Sequence, residues 1–142
     1  MKAYLASGWF TKEQEKARVE MLQALSAAEM GVYSPKDDLL FIPGESNKTE
    51  VFATNIKEMC NANFILASTV GKDMGTLFEC GVAFATGMPI VYYWPGGSGA
   101  FNLMLAESAT AVFTTLDDLK AYLTVASVNG AIDYIQYTGD IE

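Results

Sequence analysis

The sequence predicts an α/β fold with a parallel sheet covered by helices on both faces, and three observations predict it. Short apolar runs that read as strands alternate with helical patterns along the whole chain. One of these runs, NFILAST, is a continuous apolar run of the kind that a sheet covered on both faces requires. Third, 142 residues with 51% hydrophobic and 18% charged are enough for one domain with a real core, over 1–142.

Taken in order, KAYLAS (2–7) reads as a short buried strand, with Gly8, Trp9 and Phe10 in the loop beyond it. Thr11 and Gln14 form a capping-box pattern that opens a helix running to about Met30. Ala17, Met21, Leu25 and Ala28 recur on its inner face, and Gly31 is expected to stop it. VYSP begins a second strand that Pro35 ends, and 35–46, with two prolines and a glycine, reads as loop. A second helix covers 47–61, with Phe52, Ile56, Met59 and Cys60 sharing a face.

NFILAST is the third strand; Asp73 opens the third helix and Gly87 closes it. PIVYYW is the fourth strand, followed by the flexible loop PGGSGA. A short helix from about Asn102 precedes the small strand AVFTT, and Thr115 with Asp118 caps a last helix over 116–127. Right-handed crossovers make this a flavodoxin-like (Rossmann-like) five-stranded parallel sheet. In such sheets ligands bind beyond the carboxyl ends of the strands, where strand order reverses.

Charge and composition remove several function classes. The net charge of -8 repels a phosphate backbone, so a nucleic-acid polymer is not expected as partner, and no basic run suggests a membrane surface. No apolar stretch approaches the ~20 residues of a bilayer span, and the N-terminal apolar run is too short for a signal peptide. Cys60 and Cys80 lie in apolar helical pattern and read as reduced core thiols of a cytoplasmic protein. The chain has no histidine, which removes Ser-His-Asp and Cys-His nucleophile systems and argues against zinc.

The strand-end rule gathers Ser7, Gly8, Trp9, Phe10, Asp37, Asp38, Gly71, Asp73, Gly75, Thr76, Glu79, Gly96, Gly97, Ser98 and Asn102 toward one crevice. Two readings stand for most of these. Asp73 fits an N-cap as well as a site carboxylate. Glu79 sits among Leu77, Phe78, Cys80, Val82 and Ala83 with no lysine or arginine three or four positions away, and Thr76 shares its face. Gly75 and Gly81 are read as clearing space around it. Trp9 and Phe10 either stack on a flat base or fold back over the sheet; Tyr4 suits core or site; Asn102 suits a helix cap or a site. PGGSG lacks the lysine and spacing of a phosphate loop. Two carboxylates without histidine or metal ligands suit chemistry at an anomeric carbon, one stabilising or capturing the oxocarbenium-like centre and the other handling the leaving-group proton.

Three segments in order resemble one family nearly end to end. ASGWFTKEQEKA, DMGTLFECGVAFATGMPIVYY and FNLM are similar to the Gly-Trp-Phe-Thr, Asp-x-Gly-Thr-x-x-Glu-x-Gly and Asn-Leu-Met segments of the nucleoside 2-deoxyribosyltransferases. The resemblance implies base exchange on 2′-deoxynucleosides by double displacement, with free nucleobases as acceptors and no cofactor. It implies Glu79 as nucleophile at C1′, Asp73 as handler of the base proton and Tyr4 as the group that orients Glu79. Phe10 and Trp9 become aromatic walls near the base, with Gly8, Gly75 and Thr76 in the matching segments. Asn102 and Met104 complete the site across a subunit interface of a hexamer or other even homo-oligomer.

There are departures from the family pattern. Asn55 stands where some members have an aspartate that helps with the base. SPKDDLLF has no glutamine for reading a purine, leaving Asp37 or Asp38 to serve, and the chain ends in Glu142 where certain members end in tyrosine, with Tyr137 nearby. These changes bear on base preference rather than on reaction class. Two alternatives remain: a nucleoside or deoxynucleotide N-glycosidase of the same superfamily, and a non-catalytic nucleotide-binding module. The apolar Ser7–Phe10 loop has no basic residue to hold a 5′-phosphate, which favours nucleoside over nucleotide.

Overall fold

A computed structural model describes residues 1–142. Five strands, β1 (Lys2–Ala6), β2 (Gly31–Tyr33), β3 (Phe64–Ala67), β4 (Ile90–Tyr93) and β5 (Ala111–Phe113), form one parallel sheet in the order β2-β1-β3-β4-β5. The flavodoxin-like order reverses between β1 and β3, which places the crevice at their carboxyl ends. The helices are α1 (Lys12–Ala27), α2 (Pro35–Asp38), α3 (Lys48–Asn61), α4 (Met74–Ala85), α5 (Leu103–Ser108) and α6 (Leu116–Asn129).

Strand alternation divides the core into two layers. Ala3, Leu5, Phe64, Leu66, Val91 and Tyr93 face Ala17, Met21, Ala24 and Leu25 of α1 and Leu119, Leu123 and Ala126 of α6. The opposite face presents Tyr4, Ala6, Ile65, Ala67, Ile90 and Tyr92 to Met59 of α3 and Cys80 and Ala83 of α4, with Phe101 and Ala106 alongside. Each large side chain taken fully out of water here contributes about 1.5–3 kcal/mol before entropy is counted.

Local chemistry sets the element ends, and it corrects several expectations. The Thr11–Gln14 capping box is present, but α1 ends at Ala27 rather than near Met30. Glu29 takes a left-handed conformation (φ 55°), Met30 N–H bonds Leu25 C=O and Glu29 N–H bonds Ser26 C=O, the pattern of a Schellman stop. Gly31 is therefore the first residue of β2 and not the helix stop. The stretch expected as loop opens with one helical turn, α2, because Pro35 at its start has the right φ already and no N–H to lose.

On α3 only Met59 is buried; Phe52 is 57% exposed and Cys60 is exposed, so that helix presents less of its apolar face to the sheet than its pattern predicts. Cys80 alone is a core thiol, and burial pushes it up to about 12. Gly87 (φ 73°) follows α4 as expected, while α6 runs two residues further than expected, to Asn129, before Gly130 (φ 70°). No helix is long and apolar enough to cross a membrane.

Candidate active site

Glu79 reaches the crevice because α4 starts immediately beyond β3 and is locked there by its own N-cap. Asp73 accepts hydrogen bonds from Thr76 N–H (2.8 Å) and Thr76 Oγ1 (2.9 Å), which fixes the first turn and holds the Asp73 carboxylate at the pocket. Gly75 leaves the approach open: a Cβ there would stand 3.3 Å from Asp73 Oδ2. One and a half turns on from Asp73, Glu79 meets Tyr4 from the adjacent strand β1, whose hydroxyl donates to Glu79 Oε1 at 2.7 Å. Tyr4 itself is fully buried and stacked on Tyr33 at 5.7 Å between ring centroids.

Burial raises the Glu79 carboxyl to about 7, the Tyr4 hydrogen bond pulling down and the Asp73 charge pushing up. Burial also raises the Tyr4 phenol far above its ordinary range, helped by the Glu79 charge, so it stays a donor at any working pH. A carboxyl held near neutrality beside a second carboxyl is a pair able to carry one proton and one charge together.

The cavity around this pair has a volume of about 190 Å³ and is lined by Leu5, Ser7, Trp9, Phe10, Pro35, Asn55, Asp73, Gly75, Thr76 and Glu79. Trp9 and Phe10 form a tilted aromatic pair, 5.1 Å between centroids, with Phe10 74% exposed. Their loop is held by Gln14, whose Oε1 accepts from Phe10 N–H (2.9 Å) and Thr11 N–H (3.1 Å). The same side chain lies so close to Gly8 and to Gly71 that a Cβ on either would come within 2.5 or 2.6 Å of it. One buried amide therefore packs against both loops, one bearing the aromatic wall and the other leading into Asp73.

Asn55 lies across the cavity, with its Oδ1 accepting from Tyr33 Oη at 3.0 Å. That bond leaves the Asn55 amide nitrogen to meet a ligand, where an aspartate would offer only acceptors.

Not every expected residue converges here. Gly8 is buried against Gln14 instead of lining the cavity. Asp37 turns to Arg18, 2.6 Å away, because the buried guanidinium needs carboxylate partners; Glu15 supplies the other at 2.9 Å. Asp38 accepts from Ser34 N–H at 2.7 Å and is likewise outside the lining. Gly81, two positions beyond Glu79, opens onto a different cleft beside Phe84, Tyr92 and Met104 and clears nothing around the carboxylate.

Asn102 caps α5 through Met104 N–H (3.0 Å) and Leu105 N–H (3.3 Å) and lines a larger cavity of about 460 Å³ with Thr69, Lys72, Trp94 and Glu142. Met104 is 75% exposed. Size does not decide between the two cavities; the smaller one holds the paired carboxylates and the aromatic wall. Leu5 and Pro35 line it without having been singled out, and Ser7, gathered toward the crevice by the strand-end rule, lines it too. No group of three or more potential ligand side chains is arranged to hold a metal ion.

A parallel sheet with a carboxylate pair at its carboxyl edge, aromatic side chains beside it, and the likenesses that follow mark a glycosyl-transferring enzyme. The family model "Nucleoside 2-deoxyribosyltransferase" matches residues 3–119, and the chain belongs to that family. Among solved structures, the chain is similar to the 2-deoxyribosyltransferase of Bacillus psychrosaccharolyticus, with TM-score 0.82 and 26% identity over 97% of this chain and 100% of that one. A conserved protein of Enterococcus faecalis V583 matches with TM-score 0.72 and 18% identity over 88% of this chain and 98% of that chain. A CMP N-glycosidase of Clostridium botulinum matches with TM-score 0.56 and 18% identity over the same shares, a likeness of fold. No curated protein sequence matches significantly.

Proposed function

We propose that this chain exchanges the nucleobase of 2′-deoxynucleosides through a covalent deoxyribosyl-Glu79 intermediate. The observation that carries the reading is the Tyr4–Glu79 hydrogen bond of 2.7 Å, in a cavity that Asp73 shares and that opens past Trp9 and Phe10. Attack needs Glu79 ionised, the form its Tyr4 donor favours, and a proton for the departing base, which Asp73 delivers.

A Glu79 oxygen forms a bond to C1′ while the C1′–N bond breaks. The electron pair of that bond stays on the base nitrogen, and the Asp73 proton moves to the departing base. In the return step the incoming base attacks C1′, its N–H proton passes to Asp73, and the Glu79–C1′ bond breaks. Two inversions give net retention, and the same site serves two bases in turn. Water at C1′ would end the cycle as hydrolysis, so transfer depends on a base outcompeting it. A 2′-hydroxyl would crowd the nucleophile, which favours 2′-deoxy sugars.

Asn102 and Met104 are assigned to the site of a neighbouring copy in an even homo-oligomer. Their separation from the carboxylate cavity within one chain supports this, as do the exposed Met74 (84%), Phe84 (62%) and Phe78 (52%) on α4. The protein is assigned to nucleoside exchange in the cytoplasm, with no cofactor.

Chromatography of thymidine with adenine, beside thymidine alone, tests the reading. Deoxyadenosine formed by the natural protein and not by Glu79→Ala is the expected result. Thymine released equally with and without adenine would make the chain a nucleoside hydrolase. No turnover of pyrimidine or purine donors would leave a binding module.

A further inference from the structure

Ser7 Oγ is the one buried side-chain polar atom in the chain without a hydrogen-bond partner. The residue is 8% exposed, sits just past the end of β1 and lines the same cavity as Asp73 and Glu79. A buried hydroxyl left unpaired is costly, and folded chains keep few of them, so its retention needs a reason. Its neighbours in the lining are Trp9 and Phe10, two and three residues on, and Asn55, whose amide nitrogen is free once Tyr33 holds its oxygen.

We propose that the Ser7 hydroxyl is a direct hydrogen-bonding contact to the nucleobase, and a second polar determinant of base recognition beside Asn55. This rests on the base-exchange reading of the site. The two groups differ in what they accept. Asn55, pinned by Tyr33, presents donors only and therefore faces a carbonyl oxygen or ring nitrogen. The Ser7 hydroxyl rotates: it donates to a carbonyl or ring nitrogen and accepts from an exocyclic amine or ring N–H. A site that must hold a departing base and then a different incoming one is served by one contact of fixed polarity and one that adapts. The geometry thus points to a pocket broad in the bases it exchanges, with oxo and amino bases both satisfied at Ser7.

The test uses Ser7→Ala and the near-isosteric Ser7→Cys in the full chain, with three readouts. Deoxyadenosine formation from thymidine is followed as adenine concentration is varied, thermal unfolding is measured without ligand, and the shift in Tm produced by adenine is recorded. Because the acceptor base carries no sugar, a base contact lowers kcat/KM for adenine by about three- to tenfold in Ser7→Ala, the effect of one neutral hydrogen bond. Ligand-free Tm stays level or rises, since an unpaired hydroxyl has been removed. Ser7→Cys, a weaker partner, falls between the two in kcat/KM.

An unchanged adenine kcat/KM with a slower thymidine half-reaction would place the hydroxyl on the sugar and overturn the proposal. A lower Tm with unchanged kinetics would make Ser7 structural and also overturn it. Should the natural protein show no exchange, the base-exchange reading fails by itself. The Ser7 contact then stands if the adenine-induced Tm shift of the natural protein is lost in Ser7→Ala, and falls if that shift is absent or persists.

Discussion

The two faces of the sheet are built from the same strands and finished differently. On the α1/α6 side, α1 alone buries Gln14, Ala17, Arg18, Met21, Ala24 and Leu25, and α6 adds Leu119, Leu123 and Ala126. On the α3/α4 side, α3 buries only Met59 and α4 buries Thr76, Cys80 and Ala83, while Phe52, Met74, Phe78 and Phe84 stay exposed. The first face is the more completely closed by apolar packing, with Val125 and Val128 of α6 left exposed at its edge. The second leaves apolar surface open and carries Tyr4 and Glu79, a polar pair that a sealed core would not tolerate. On the proposed reading, stability and chemistry are drawn from opposite sides of one sheet, and substitutions on the two sides should separate them.

The largest separation comes from Glu79→Gln. Base exchange should fall by about a thousandfold or more, as loss of a covalent nucleophile does. Stability should move the other way. The folded carboxyl is raised to about 7 from 4.5, so protonated Glu79 favours the fold fully below about pH 4.5 and that contribution is lost as pH rises through about 7. The glutamine variant should therefore gain stability over the natural protein progressively between those values and hold the gain above pH 7, by at most about 3–4 kcal/mol. A constant difference across pH in thermal scans would show that Glu79 titrates alike in folded and unfolded chains.

Leu25→Ala on the closed face should do the reverse. Urea unfolding should show a loss of about 2–5 kcal/mol, with kcat/KM at 25 °C within about twofold of the natural value. A comparable loss of activity would mean that the faces are coupled through the sheet.

Tyr4→Phe removes the donor to Glu79 and leaves the packing of a fully buried ring. kcat should drop by roughly ten- to a hundredfold. Because attack needs Glu79 ionised, kcat/KM of the natural protein should rise as pH increases through about 7. The lost hydrogen bond raises the Glu79 carboxyl further, so in Tyr4→Phe that rise should move to higher pH; movement to lower pH would assign the limb to another group.

The smallest effect on the single chain is expected from Phe84→Ser on the open face. The ring is 62% exposed, so intrinsic stability should change by less than about 0.5 kcal/mol. Sedimentation should nevertheless report a lower mass than for the natural protein, if this face joins copies. An unchanged mass, with natural activity, would take α4 out of the interface.

The closed face was the more legible in the sequence. Ala17, Met21 and Leu25 at helical spacing, and the Thr11–Gln14 box, translate directly into burial and a cap. The carboxylate pair was equally visible, because Asp73 opens an apolar helix and Glu79 interrupts it with no lysine or arginine three or four positions away. Errors gathered where a local signal competes with a distant partner. Asp37 follows a strand end, yet the buried Arg18 sixteen positions beyond the first strand's start claims it. Gly31 signals a helix stop, yet Glu29 adopts the left-handed turn itself and frees the glycine for β2. On α3 the apolar spacing is real, but the sheet beneath engages only Met59, and the rest of that stripe stays exposed. Ser7 was legible only as one of many strand-end residues; its missing partner, visible in three dimensions, sets it apart from them.

The absence of histidine, joined to the buried Glu79, makes this chain its own titration indicator. The side chain that ordinarily dominates proton exchange around neutrality is missing from the sequence, and a lone carboxyl has been moved into its place at about 7. Carboxyl-selective carbon-13 spectra recorded between pH 6 and 8 can therefore follow Glu79 by its own resonance. Calorimetry in buffers of different ionisation enthalpy can count the protons it gains or loses when a nucleoside arrives.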